Sequence, residues 1–142
     1  MKPNALKVLI YATWHDRLLV FDEPDFPEVA LQVPGGTVEA GEDVGAAALR
    51  EFSEETGILP ATRLAPLAVH DYRFSKDGTE TCHRRHYFHV SLEGKQPATW
   101  LHREMTPFSG GGPILFRFFW LSFDHARTRL GYGMEHGLPL LS

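Results

Sequence analysis

Apolar positions in the first third of the chain come in short unbroken runs, not at helical spacing. Residues 6–13 and 17–21 are two such runs, parted by the polar pair His15-Asp16, and they predict adjacent strands. Residues 29–33 predict a third strand, stopped by Pro34-Gly35-Gly36. The period then changes. Residues 43–56 predict a helix, with Asp43 as its cap and Gly57 as a left-handed stop. On that helix Gly45, Ala48, Leu49, Phe52 and Thr56 form a stripe expected to pack on a sheet. Glu51, Glu54 and Glu55 fall within an arc of about 100° on the other side and are expected to project away from it. Residues 64–74 and 82–92 flank Lys76-Asp77-Gly78-Thr79, and Asp-Gly between two such runs predicts a hairpin. In its second strand Phe88, Val90 and Leu92 share one face, with Tyr87 and His89 on the other. Residues 94–113 have weak periodicity and end in SGGGP, which predicts a mobile loop containing a short strand. Residues 114–123 predict a buried strand, with Phe116, Phe118 and Trp120 as core, and residues 124–130 a short helix ending at Gly131. Strands bracketing two helices predict a layered α/β fold with a mixed sheet, one domain over residues 1–142.

Composition narrows the partners. A chain of 142 residues can bury a core, and its net charge of −4 disfavours a long nucleic acid or an anionic membrane as ligand. Small nucleotides stay open, because a bound cation reverses the sign of a local site. A single cysteine, Cys82, excludes an internal disulfide and suits a reducing compartment. The opening MKPNALKVLIYATW is interrupted by Lys7 and followed by no small-residue cleavage site, so it reads as a strand and not a signal peptide. No apolar run approaches the roughly 20 residues of a membrane span. The expected location is cytoplasmic.

The glutamates at the end of the helix are locally unfavourable. Like charges at these spacings cost about 0.2–0.5 kcal/mol per pair, and anions in the last turn oppose the helix dipole. Arg50 relieves part of this by pairing with Glu54 or reaching back to Glu42. A hard divalent cation relieves more, since Mg²⁺ favours carboxylate oxygens and keeps waters for bridging to phosphate. On spacing alone, a metal site and an acidic solvated face weigh about equally.

The flanking residues add a second kind of information. Gly36, five residues, Glu42, seven residues, then Arg50-Glu51-Phe52-Ser53-Glu54-Glu55-Thr56-Gly57-Ile58 matches every fixed position of the Nudix box. The chain therefore resembles the Nudix hydrolases over residues 36–58. That resemblance implies an α/β/α sandwich around a central mixed sheet. It also implies hydrolysis of a pyrophosphate bond in a nucleoside diphosphate linked to another group, with Mg²⁺ as cofactor and Mn²⁺ as a substitute. By position, Glu51, Glu54 and Glu55 would be metal ligands, joined by the Gly35 carbonyl. Glu51 or Glu54 would lie close to the attacking water, and Arg50 would orient the glutamates with Glu42 as its partner. Family signatures for particular substrates are not matched. Arg73 and Phe74 stand at the places that mark ADP-ribose and dinucleoside polyphosphate enzymes, Tyr72 falls early, and PEVALQVPGG carries no coenzyme A-type signature. A noncatalytic module of the same fold is the alternative, disfavoured by the intact glutamate set; cap hydrolysis on RNA is a weaker one. Members of the family are often homodimers, so a homodimer is a further expectation.

Outside the box, Glu104 is the candidate for an additional carboxylate, weighed against an ordinary surface glutamate, and the glycine-rich segment after it is a candidate lid. Arg73, Arg84 and Arg85 are candidates for substrate phosphate, weighed against solvent exposure near the hairpin. Tyr72, Phe74, Tyr87 and Trp100 either stack a base or fill core. Zinc on Cys82, His83, His86 and His89 is disfavoured because strand alternation sends His86 away from His83 and His89. His136 is expected only to dock the C-terminal segment.

Overall fold

The computed structural model describes residues 2–104 and 112–141. The elements in chain order are β1 (Ala5–Trp14), β2 (Arg17–Asp22), β3 (Gly35–Thr37), α1 (Val44–Thr56), β4 (Ala65–Lys76), β5 (Thr79–Ser91), β6 (Thr99–Glu104), β7 (Ile114–Ser122), α2 (Phe123–Arg129) and a 3-10 helix (Met134–Leu140). Six strands run in the order β4-β5-β1-β2-β7-β6, and β3 adds to β1. The β1–β5 pairing is parallel and the others antiparallel, so the sheet is mixed.

Each central strand is apolar on both faces because each face has its own cover. Val8, Ile10 and Ala12 of β1 join Phe88 and Val90 of β5, Phe116, Phe118 and Trp120 of β7, and Ala47, Ala48 and Phe52 of α1. The intervening Leu9 and Tyr11 join Leu18, Val20, Tyr87, Ala126, Leu130 and Met134 on the side of α2 and the 3-10 helix. The result is the expected α/β/α sandwich, with Phe88, Val90 and Leu92 in one core and Tyr87 in the other. The hairpin turn is Asp77-Gly78, both at positive φ (52° and 77°), which matches the twist of the flanking strands.

Two readings are corrected. The third strand is not 29–33, where only Leu31 and Gln32 form isolated bridges, but the Gly35–Thr37 segment. The glycines that read as a stop are what permits the pairing, since a Cβ on Gly35 would collide with the carbonyl oxygen of Val8. The chain also ends in a 3-10 helix that no apolar period announced. It is fixed by the Tyr11 hydroxyl, which donates to the Met134 carbonyl at 2.6 Å.

Strand β1 has two neighbours on one edge. Its end pairs with β2 at Thr13 and Trp14, and its start pairs with β3 from Lys7 to Leu9. The sheet is therefore split beside Lys7–Leu9, and β3 in the split carries the chain directly toward α1. Among the described residues no helix is long and apolar enough to cross a membrane. The lid expected after Glu104 lies largely outside the described residues.

Candidate active site

Helix α1 begins as its sequence dictates, with the Asp43 carboxylate accepting from Ala46 N–H at 3.0 Å, and stops at Gly57 in the left-handed region. Its buried side differs from the expected stripe. Ala47, Ala48, Glu51, Phe52, Glu55 and Thr56 are buried, while Gly45 and Leu49 face solvent. The buried arc is therefore rotated toward the glutamates. Glu51 and Glu55 are 9% and 6% exposed, and only Glu54 projects outward, with its side chain 53% exposed. The rotation has a physical source in β3: Gly36 has no Cβ, and the Glu51 carboxylate fills the space one would take.

A third buried-side carboxylate arrives from β6. The Trp100 indole donates to the Thr56 carbonyl at 3.0 Å, and a His102 ring nitrogen lies 2.8 Å from the Glu54 carbonyl oxygen. These contacts lash β6 to the C-terminal end of α1 and bring in Glu104, the last residue of the strand. Carboxylate oxygens of Glu51, Glu55 and Glu104 all lie within 4.8 Å of one another.

Arg50 organises the outer side of this cluster. Its Nε and one Nη donate to both Glu42 oxygens at 2.7 and 2.8 Å, its other Nη donates to Glu51 at 2.9 Å and Glu54 at 3.4 Å, and it also reaches the Thr37 carbonyl. This fork holds the Glu42 carboxyl down at about 2. Elsewhere burial prevails. It pushes the Glu51 carboxyl up against the opposing pull of Arg50. It pushes Glu55 well above the carboxylate range, aided by repulsion from Glu104, although Gly35 N–H donates to Glu55 at 3.1 Å. Glu104 rises through burial and the charge of Glu54. Glu55 and Glu104 have no ion-pair partner among the described residues. A cluster of hard oxygen donors, partly desolvated and short of positive charge, fits a hard divalent cation.

Beside the cluster, in the split of the sheet, lies a cavity of about 410 Å³. Glu55, Gly35 and Gly36 line it on the side of the carboxylates, and Lys7, Arg85, Tyr72, Phe74, His83 and Tyr132 line it as well. Of the candidate substrate residues, Tyr72 and Phe74 reach this cavity, stacked at 5.4 Å between ring centroids. Arg84 does not line it; it makes a two-pronged pair with Asp71 at 2.8 and 3.1 Å. Arg73 is exposed on β4 opposite Cys82. Tyr87 and Trp100 serve as core. His83 faces the cavity, His89 bonds Thr13, and His136 is exposed beside the His70 ring.

Arg85, a candidate for substrate phosphate, lines the cavity, and Lys7 and Tyr132 join it there without having been candidates. Two signals were present: Lys7 breaks an otherwise apolar strand, and Arg85 shares strand parity with Tyr87, which places it on a covered face.

A family model for the NUDIX domain matches residues 1–141. The chain belongs to that family, the Nudix hydrolases. Solved structures agree in fold. The mutator MutT protein from Bacillus halodurans superposes with a TM-score of 0.69 at 20% identity, covering 97% of this chain and 83% of that one. A UDP-X diphosphatase gives 0.67 at 18% identity, covering 99% and 62%. The NUDIX domain of NrtR from Shewanella oneidensis, in complex with ADP ribose, gives 0.64 at 14% identity, covering 99% and 87%. Comparison with curated protein sequences gives no match.

Proposed function

We propose that the chain hydrolyses a pyrophosphate bond in a nucleoside diphosphate linked to a further group, with Mg²⁺ or Mn²⁺ held by Glu51, Glu55 and Glu104. By their place in or next to the box, Glu54 and the Gly35 carbonyl are further candidates for that set. The observation that carries this reading is the meeting of three carboxylates within 4.8 Å, one of which, Glu55, lines a cavity large enough for a nucleoside. The family match supports pyrophosphate hydrolysis in general. A UDP-X diphosphatase and a domain in complex with ADP ribose among its structural neighbours support the nucleoside diphosphate class.

A cation held by Glu51, Glu55 and Glu104 would neutralise the diphosphate and make water more acidic there. The rest of the chemistry falls to side chains of this chain. Arg50 fixes Glu51 and Glu54 in one orientation through its fork. Glu54, the carboxylate of the helix open to solvent, accepts the proton of the attacking water as that water's oxygen bonds to phosphorus. The phosphoanhydride oxygen on the opposite side then leaves. Phe74 and Tyr132, which line the cavity, supply aromatic rings on which a base can stack. Arg73 and Arg84 are left for outlying phosphate or for no contact at all.

The test is a panel of nucleoside diphosphate derivatives with Mg²⁺ and Mn²⁺, reading released phosphate after phosphatase coupling. Glu54→Gln alters an exposed position, so the fold should persist while turnover falls by about 10²-fold or more, the scale of a positioned proton acceptor. Near-parental turnover in that variant would remove Glu54 from the mechanism.

A further inference from the structure

We infer that the cavity selects substrates whose enclosed group carries an oxyanion of its own, a phosphate or a carboxylate, received by Arg85 with Lys7 beside it. The inference rests on the reading above only in taking this cavity as the place where substrate binds.

Arg85 is 5% exposed, yet it has no carboxylate within ion-pair distance among the described residues. The arginines that do have such partners, Arg50, Arg84, Arg117 and Arg127, are all more exposed. This inverts the usual order, in which a buried charge is paired and a surface charge need not be. The surroundings of Arg85 are phenolic. One Nη donates to the Tyr132 carbonyl at 2.6 Å, the guanidinium carbon sits 3.8 Å above the centre of the Tyr72 ring, and the hydroxyls of Tyr87 and Tyr11 are close enough to act on its charge. A ring face and a carbonyl hold the guanidinium in place without neutralising it.

A second cation lies alongside. Lys7 and Arg85 are register partners on the parallel strands β1 and β5, and both side chains line the cavity. The Lys7 ammonium donates to the Thr37 hydroxyl at 2.6 Å and is drawn toward Glu51, while Arg85 repels it. The carboxylate of the cavity wall, Glu55, belongs to the acidic cluster and accepts from Gly35. The cavity thus joins an acidic cluster suited to a cation and a buried guanidinium suited to an anion, with Lys7 close enough to feel both charges. A neutral base stacked on Phe74 would leave the guanidinium charge uncompensated. A planar or tetrahedral oxyanion takes two of its N–H groups at once, which an ammonium cannot match. The same residue type receives the ribose phosphate in dinucleotide sites that take a phosphorylated cofactor.

The experiment is calorimetric binding in chelator, with probes that differ by one anionic group. AMP is compared with adenosine 2′,5′-bisphosphate and adenosine 3′,5′-bisphosphate for the phosphate source, and UDP-glucose with UDP-glucuronate for the carboxylate source. The expected result is at least about tenfold tighter binding of the anionic member in one of these pairs. That preference should vanish in Arg85→Met and weaken in Arg85→Lys, which keeps the charge without the fork. Equal binding in every pair overturns the inference, as does a preference that survives Arg85→Met. Should Arg85→Met fail to fold, the parent pairs and Arg85→Lys decide alone. The binding pairs contain no metal and need no turnover, so their failure defeats this inference alone, while absence of turnover across the substrate panel with Mg²⁺ and Mn²⁺ defeats the hydrolase reading and leaves an anion preference in chelator standing.

Discussion

Glu51, Glu54 and Glu55 are chemically identical and sit within five residues, yet the fold gives two of them to the interior and one to water. Burial and Glu104 hold the Glu55 carboxyl well above the ordinary range, and burial raises Glu51 as well. Without metal, the folded chain keeps protons that the unfolded chain releases above about pH 4.3, so these groups make stability fall as pH rises. In chelator, the melting temperature should therefore decline as pH rises above about 4.3, and Glu55→Gln should flatten the decline. Toward neutral pH and above, the variant should be the more stable by about 1 kcal/mol, or roughly 2–4 °C. Parallel melting curves for the two proteins would show that Glu55 carries no such strain. The identity of these residues was legible because the box fixes spacing, and spacing on a helix fixes angle. Which of them is buried was not legible. That depends on where the sheet contacts the helix, and the contact is set by Gly36, a residue with no side chain to announce it.

At the scale of elements, the site is the meeting of β3, α1 and β6. Strand β3 is three residues long and reads as a turn, because its two glycines are chosen for close approach to Val8 and Glu51 and not for strand propensity. Gly36→Ala would place a methyl group where the Glu51 carboxylate now lies. It should displace that carboxylate from Arg50 and from Glu104, lowering turnover by about 10²-fold, the loss expected of a misplaced catalytic group. It should also weaken stabilisation by Mn²⁺, read as a smaller melting shift across a titration. A variant with parental turnover and parental metal response would mean that Glu51 does not need its present position. Strand β6 shows the converse case. Its sequence, TWLHRE, has weak periodicity, but Trp100 and His102 bind it to the end of α1 and so fix where Glu104 goes. Trp100→Phe removes the indole donor to Thr56 while keeping an aromatic core residue. It should lower kcat more than it lowers stability, tested by kinetics alongside chemical denaturation.

Across the whole molecule, charge is arranged by region. Acidic groups gather where α1 meets β6, and Lys7 and Arg85 face the cavity from β1 and β5, where they are register partners. The sandwich itself was readable from continuous apolar strands and one amphipathic helix. The cavity was not, since its walls come from β1, β4, β5 and the C-terminal segment, which only the folded chain brings together. On the proposed reading, the buried carboxylates are tolerated because they receive a divalent cation. The direct measurement is melting of the parent and of Glu55→Gln at about pH 7.5, first in chelator and then across a Mg²⁺ or Mn²⁺ titration. At about 100 times the dissociation constant the parent should gain about 2.7 kcal/mol, or roughly 5–10 °C, and Glu55→Gln less than half of that. A parent that does not respond to either metal, or a variant that gains as much as the parent, would contradict it.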